Sequence, residues 1–200
     1  MGLRKVKTKI RQAQITEAAL EVIGNNGFKG LTISALARRV GIADGNVYRH
    51  FKDKDAVLEA IINAIGIALK RIVKESCKEE SDPLSCLEKV FTKHISFLEN
   101  HRGIPRIIFS DEMYSGNKKL ALKLKGNVME YVEKIKNILR QGVRDESLDC
   151  NLDVDAAAIA FVGLIQSTAL QWVLFGYSFS PKARGKKIWQ IYLKGILSRR

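Results

Sequence analysis

Apolar residues recur at helical spacing along most of the chain. The first series predicts a helix over about 9–25 with one buried face, and the second predicts a helix from about 54 to 77. The apolar positions of the first series are Ile15, Ala18, Ala19, Val22 and Ile23. The second helix would be roughly 37 Å long at 1.5 Å per residue. These patterns favour an all-α fold.

Residues 31–51 contain two short apolar-periodic segments joined by a glycine. Thr32 precedes the first segment as a candidate N-cap, and Gly41 ends it where a positive φ is needed. Val47 and Phe51 are the expected core positions of the second segment. Two short helices across a turn of about four residues form a helix-turn-helix, whose second helix enters the DNA major groove. The alternative is an ordinary helical hairpin in an all-α enzyme.

The second half of the chain predicts further helices separated by polar loops. A polar segment, 78–83, marks a hinge, with Asp82 as an N-cap and Pro83 in the first turn of the next helix. The expected helices cover 83–100, 104–114, 118–143, 153–177 and 181–198. We divide the chain into an N-terminal arm and helix-turn-helix domain at 1–54, a connecting helix at 55–80 and a regulatory domain at 81–200.

Residues 156–180 carry no charge, which raises the alternative of a membrane-spanning helix. Polar residues from Gln166 to Gln171 interrupt this segment, and a helix that is apolar all round is equally expected at the centre of a bundle. We therefore expect no membrane partner.

The charge of the chain points to a polyanionic partner. The formal net charge is +13 and the isoelectric point is about 9.8. Residues 1–54 contain eleven basic and four acidic side chains, a net +7, so this excess coincides with the helix-turn-helix. Residues 1–8 are expected to form a mobile basic arm, which is either a solvated tail or places Arg4, Lys5 and Lys7 on phosphates or in the minor groove.

The chemistry-bearing residues suggest neither an enzyme nor a metalloprotein. An apolar leader is absent from the sequence, and the irregularly spaced Cys77, Cys86 and Cys150 favour a reducing cytoplasm over a disulfide framework. Cys86, His94 and His101 are the nearest approach to a metal cluster, but no zinc spacing is present. No phosphate loop, nucleophile elbow or catalytic triad order is found, so neither a catalytic site nor a cofactor is expected.

One run of residues resembles a known family. The residues that carry the resemblance are Ile15, Ala18, Ala19, Gly27, Phe28, Thr32, Ile33, Ala37, Gly41, Ile42, Gly45, Tyr48, His50, Phe51, Lys54, Val57 and Leu58. Positions 9–69 resemble the N-terminal domain of the TetR family of transcriptional regulators, with the helix-turn-helix at 31–50. The resemblance covers about a third of the chain and implies a homodimer, formed through the last two helices, on a near-palindromic double-stranded DNA operator.

The resemblance also implies a set of DNA contacts. By family position these are Thr32, Ser34, Gly45, Asn46, Tyr48, Arg49, His50 and Lys54, to which the exposed Arg39 is added by its periodicity. The side-chain chemistry is suitable, since Asn pairs with adenine and Arg with guanine, while Tyr and His donate to phosphates. The family commonly has Ser or Thr where this chain has Ala43, so we expect Asp44 to cap the recognition helix by a one-residue shift.

The regulatory domain is expected to bind a small, largely apolar effector that releases a repressor from DNA. Its candidate pocket residues are Phe97, Ile108, Met113, Tyr131, Phe161, Gln166 and Trp172. Two other functions are considered: an architectural DNA-binding protein that is not sequence-specific, and a helical small-molecule-binding protein or enzyme that does not bind DNA.

Overall fold

The structure is a computed structural model that describes residues 2–80 and 82–197. All regular secondary structure in these ranges is helical, which confirms the all-α prediction. The helices are α1 (Gly2–Asn26), α2 (Ile33–Val40), α3 (Asp44–Tyr48), α4 (Lys54–Glu79), α5 (Pro83–Asn100), α6 (Gly103–Ile108), α7 (Lys118–Arg144), α8 (Val154–Leu174) and α9 (Pro181–Ile196). A 3₁₀ turn covers Phe28–Gly30, and a π-helical turn covers Glu112–Gly116.

Side-chain caps fix several helix boundaries where the sequence predicted them. The Thr32 hydroxyl accepts a hydrogen bond from the Ala35 amide at 3.1 Å, and Gly41 ends α2 with a φ of 75°. The carboxylates of Asp53 and Asp82 accept from amides in the first turns of α4 and α5, each at 2.8 Å. These caps satisfy amides that have no partner within their own helix.

Three local predictions are wrong. The expected mobile arm is helical from Gly2, because α1 continues through it. The single helix expected over 104–114 is divided into α6 and the π-helical turn. Arg49 and His50 follow α3 instead of lying within it, since α3 ends at Tyr48. The expected end of the last helix, Ser198, lies outside the described residues.

The chain forms two compact units, each made of two segments. The first unit contains Met1–Ile65 and His101–Leu124, and the second contains Gly66–Asn100 and Lys125–Arg200. The divisions drawn from the sequence at residues 54 and 80 differ from these boundaries. Helices α4 and α7 each begin in the first unit and end in the second.

The core of the first unit joins α1 to α2 and α6. A Cβ atom built on Gly103 would lie 2.2 Å from the main-chain oxygen of Leu20, so only glycine allows α6 to approach α1 this closely. The Asn117 amide donates to the Asp55 carboxylate at 2.7 Å, and the Lys123 ammonium donates to Glu59 at 2.8 Å. Residues 101–124 are therefore bonded to the first turns of α4.

In the second unit, α5, α8 and α9 pack around an aromatic cluster. The ring centroid of Phe91 lies 5.5 Å from those of Phe161 and Trp189, and Phe161 lies 5.7 Å from Tyr192. These four side chains are buried, and edge-to-face aromatic pairs add about 0.5–1.5 kcal/mol each beyond the area they bury.

Cys77 and Cys86 form a disulfide, with their Cα atoms 4.9 Å apart. The spacing of the cysteines favoured a chain without a disulfide framework, and this pair departs from that expectation; Cys150 is the free cysteine. Two cysteines nine residues apart gave no sequence signal, because their pairing depends on how α4 and α5 pack in the folded chain.

One helix in the described part of the chain, α8, is long and apolar enough to span a membrane by length and composition. Its most apolar window has a mean hydropathy of 1.6, and 44% of that window is buried inside the protein. An apolar helix of this length is also expected where a helix packs within a helical bundle.

Candidate nucleic-acid interface

The α2–α3 segment has the geometry of a helix-turn-helix. Ala43 is the N-cap of α3 and supplies no side-chain hydrogen bond. The carboxylate of Asp44 accepts a hydrogen bond from the Ser34 hydroxyl at 2.5 Å and does not cap the helix. The predicted one-residue shift of the cap is therefore wrong, because Asp44 is already the first helical residue.

Most of the candidate DNA-contact residues are exposed on this segment. Tyr48 is 56% exposed although it is a large aromatic residue, while the adjacent Val47 is fully buried, as the sequence predicted. Phe51 is also buried. The exposed candidates are Thr32, Ser34, Arg39, Gly45, Asn46, Tyr48 and Arg49.

Two of the candidates have protein partners. Arg39 forms an exposed ion pair with Glu21 on α1, and this pair raises the pKa of the guanidinium, chiefly through the hydrogen bond. Lys54 is half-buried, and its Nζ atom donates to the carbonyl oxygen of Phe28 at 3.3 Å. Phe28 is half-buried, with this ammonium group 4.5 Å from the centroid of its ring.

Three of the candidates line a cleft together with three residues that are not among the predicted DNA contacts. Asn46, Arg49 and His50 line a cleft of about 360 Å³ together with Thr8 and Arg11 of α1 and Ile42. Arg11 could not be selected from the sequence, since it lies outside the helix-turn-helix and only the fold brings α1 beside the end of α3.

The candidate pocket residues are divided between the two compact units. Ile108 and Met113 belong to the first unit, and the other five belong to the second. Of those five, Tyr131, Phe161 and Trp172 are buried, whereas Phe97 and Gln166 are half-buried.

A buried polar pair lies in the second unit. The Nδ1 atom of His94 and the hydroxyl of Tyr131 share a hydrogen bond of 2.9 Å. Burial lowers the pKa of His94 to about 3 and raises the pKa of Tyr131, so both side chains are neutral at physiological pH. The sequence analysis considered His94 only as a metal ligand, but Cys86 is in the disulfide and the described residues contain no group of three or more metal-binding side chains.

Comparisons with known proteins place the chain in a family. Residues 15–61 match the family described as "Bacterial regulatory proteins, tetR family", and residues 63–195 match the family described as "YsiA-like protein, C-terminal region". The chain belongs to the TetR family of transcriptional regulators.

Similar proteins span nearly the whole chain. The fatty acid metabolism regulator protein of Bacillus subtilis is 28% identical over 184 residues, which are 92% of this chain and 94% of that protein. The nucleoid occlusion factor SlmA of Vibrio cholerae is 25% identical over 186 residues, covering 90% of this chain and 93% of that protein.

Solved structures have the same fold. FadR from Bacillus subtilis, in complex with stearoyl-CoA, superposes with a TM-score of 0.77 at 28% identity, covering 92% of this chain and 98% of that one. The ketosteroid regulator KstR2 of Mycobacterium tuberculosis has a TM-score of 0.77 at 18% identity, covering 94% and 96% of the two chains, and at that identity it supports the fold alone.

Proposed function

We propose that this protein is a dimeric repressor of genes of fatty acid metabolism, released from its operator by a long-chain acyl-CoA. One observation supports DNA binding above all: the recognition segment, which consists of α3 with the following Arg49 and His50, is exposed. In it, the Tyr48 side chain projects from α3, while the buried Val47 anchors the helix to the core. A protein with this role acts on chromosomal DNA in the cytoplasm.

On DNA, we assign α3 to the major groove. Gly45, which has open space around it, allows close approach of the helix, and Tyr48 and His50 donate to phosphates. The remaining proposed contacts are Thr32 at the N-cap of α2, Ser34 and Arg39 on α2, Asn46 on α3, Arg49 directly after it, and Lys54 at the start of α4. To reach a phosphate, the Arg39 guanidinium must either break its ion pair with Glu21 or bind both groups at once.

The proposed dimer forms through α8 and α9. Their outer faces carry large apolar side chains, of which Ile159 is 65% exposed and Leu174 and Ile191 are each 71% exposed. A second copy of the chain would cover these side chains. The dimer would present two recognition segments about 34–36 Å apart, one turn of B-DNA, on a near-palindromic operator.

The proposed ligand binds in the second unit. The 28% identical FadR was solved in complex with stearoyl-CoA, and the net charge of +13 of this chain suits the phosphates of coenzyme A. We assign the acyl chain to the apolar side chains of Phe97, Phe161 and Trp172, with Tyr131 and Gln166 as polar contacts. The indole nitrogen of Trp189 is buried without a hydrogen-bond partner in the described residues, so it can donate to a thioester carbonyl.

Selection of bound sites from a random DNA library at about 150 mM salt tests the DNA-binding role. We expect an enriched inverted repeat, bound at least about 10³-fold more tightly than random DNA. Stearoyl-CoA should then dissociate the complex, whereas free coenzyme A at the same concentration should not. Tight binding without an enriched motif would favour the architectural alternative, and no binding at all would favour a helical small-molecule-binding protein or enzyme.

The 25% identical SlmA supports a second candidate, a nucleoid occlusion factor. The two candidates differ in ligand response and in the distribution of sites on the chromosome. Sites confined to promoters of fatty acid genes, together with release by acyl-CoA, would exclude the second candidate. Widely distributed sites with no response to acyl-CoA would favour it.

A further inference from the structure

The cleft between α1 and the end of α3 is lined, among the described residues, by basic side chains and by no acidic one. We infer that this cleft binds one phosphate of the DNA backbone, held by Arg11, Arg49 and His50. The inference rests on the proposed DNA-binding function and adds a contact residue, Arg11, from outside the helix-turn-helix. It also changes the expected roles of Asn46 and Arg49.

The charge of the cleft favours an anion. Its lining includes two guanidinium groups and no carboxylate. Among the described residues neither Arg11 nor Arg49 forms an ion pair, whereas Arg39 on α2 is paired with Glu21. The two arginines therefore line the same cleft without a counter-charge, an arrangement that a phosphate stabilises, since its oxygens accept paired hydrogen bonds from guanidinium groups.

A third possible donor belongs to His50, a residue that lines the same cleft. The Nδ1 atom of His50 is buried and has no hydrogen-bond partner in the described part of the chain. The main-chain oxygen of His50 accepts from the Gln12 side chain at 3.3 Å, so α1 holds this residue in place. A buried ring nitrogen without a partner is unfavourable, and a phosphate oxygen would supply one when Nδ1 carries a hydrogen.

The geometry changes the expected roles of two residues. From side-chain chemistry alone, Asn46 was expected to read adenine and Arg49 guanine. Both side chains line the cleft beside Arg11, which lies on a different helix from the recognition segment. A side chain that binds a phosphate there fixes the position of α3 but carries no sequence information. Base reading then belongs to the start of α3, at Asp44, whose carboxylate can accept a hydrogen bond from a cytosine amine.

Salt dependence of operator binding distinguishes a phosphate contact from a base contact. Arg11→Gln and Arg49→Gln should each lower affinity about tenfold on every sequence tested, as expected for loss of a charged hydrogen bond. The plot of log affinity against log salt should become shallower by about 0.9 for each lost contact, or about 1.8 per dimer. Arg11→Lys should keep the slope and lose affinity, because lysine cannot bind the phosphate through two hydrogen bonds.

Arg144→Gln, on the exposed last turn of α7, is the matched control and should change neither the affinity nor the slope. Thermal melting identifies any variant that fails to fold. If Arg11→Gln does not fold, the comparison is made with Arg11→Lys instead. A changed base preference at one operator position in Arg49→Gln would overturn the inference, as would an unchanged slope in Arg11→Gln.

Operators with single methylphosphonate linkages locate the phosphate. Neutralising the bound phosphate should weaken the wild-type complex about tenfold but should have a clearly smaller effect in Arg11→Gln, in which only Arg49 and His50 still hold the phosphate. Absence of such coupling at every position would overturn the inference, even if operator recognition stands. If instead the wild type prefers no sequence, the proposed function fails, yet Arg11→Gln should still bind random DNA with a shallower salt slope.

A free phosphoryl compound, instead of a DNA phosphate, is the other ligand that this cleft could bind. Titration of the DNA-free protein with inorganic phosphate separates the two sources. Saturable binding that Arg11→Gln abolishes, without coupling to any methylphosphonate, would assign the cleft to a free ligand and overturn the DNA assignment. Weak binding that DNA phosphate outcompetes at the coupled position would support it.

Discussion

The Nζ atom of Lys54 lies 3.3 Å from the carbonyl oxygen of Phe28 and 4.5 Å from the centroid of its ring. One ammonium group thus holds the 3₁₀ turn between α1 and α2 to the first turn of α4. The same group is a proposed phosphate contact, so Lys54 links the internal packing of the DNA-binding segment to its binding surface.

Lys54→Met should therefore lower the free energy of unfolding by about 1 kcal/mol in addition to weakening DNA binding, because it removes a hydrogen bond and a cation–π contact. Urea denaturation measures the first effect. Lys52→Met is the control, since that side chain is 83% exposed, and it should stay within about 0.5 kcal/mol of wild type. Equal stability of the two variants would show that the Phe28 contact contributes nothing.

Gly103→Ala should be among the most destabilising single substitutions in the chain. The added methyl group would lie 2.2 Å from the Leu20 oxygen and 2.9 Å from the Leu20 carbonyl carbon, both main-chain atoms that cannot move alone. We expect a loss of about 3 kcal/mol or more, measured as a fall in the thermal midpoint.

Gly126→Ala is the matched comparison, because nothing lies within 4 Å of its Cβ position in α7. It should be neutral or should stabilise the protein by about 0.5–1 kcal/mol through helix propensity. Similar melting temperatures for the two variants would contradict the close approach of α6 to α1.

Reduction of the Cys77–Cys86 disulfide should lower the free energy of unfolding by about 2–3 kcal/mol, the chain-entropy effect of closing a short loop. Denaturation with and without a reductant measures the change. Thiol titration of the unfolded protein should find one reactive thiol before reduction and three afterwards. Cys150→Ser is the control and should leave stability unchanged, while three thiols in the untreated protein would exclude the disulfide.

The buried His94 predicts an acid-dependent loss of stability. Burial holds its pKa at about 3, whereas in the unfolded chain it is near 6.5, so between these values only the unfolded state takes up the proton. Above pH 6.5, His94 does not change the free energy of unfolding. Below pH 6.5, the free energy of unfolding falls by up to about 1.4 kcal/mol for each pH unit.

His94→Gln should remove this part of the pH slope between about pH 4 and 6, as measured by denaturation at several pH values. Tyr131→Phe removes the partner hydroxyl but keeps the imidazole, so it should lower stability and retain the slope. If the free energy of unfolding of wild type and of His94→Gln depended on pH in the same way, the low pKa of His94 would be contradicted, because a hydrated imidazole keeps its usual pKa.

Local sequence rules predicted the boundaries of the helices well. Thr32, Asp53 and Asp82 each cap a helix through an amide three residues ahead, an interaction that depends only on nearby sequence. The buried position of Val47 follows in the same way from helical periodicity. The start of α1 was mispredicted because residues 1–8 are rich in basic side chains, and this composition was interpreted as a mobile arm.

Contacts between distant residues could not be predicted. Arg39 has the periodicity of an exposed side chain, yet Glu21, 18 residues earlier, pairs with it. Arg11 gains its proposed role only from lying beside Arg49 in the folded chain. Spacing rules do not encode which surfaces of two helices meet, since that depends on the packing of the whole unit.

The discontinuous first unit has a consequence for protein engineering. A chimaera that transplants residues 1–65 onto a foreign regulatory domain would leave out α6, and so would expose the surface of α1 that Gly103 covers at Leu20. It would also remove Asn117 and Lys123 from Asp55 and Glu59. A recognition segment exchanged between regulators of this type must therefore carry 101–124 with it, or be limited to substitutions on α2 and α3.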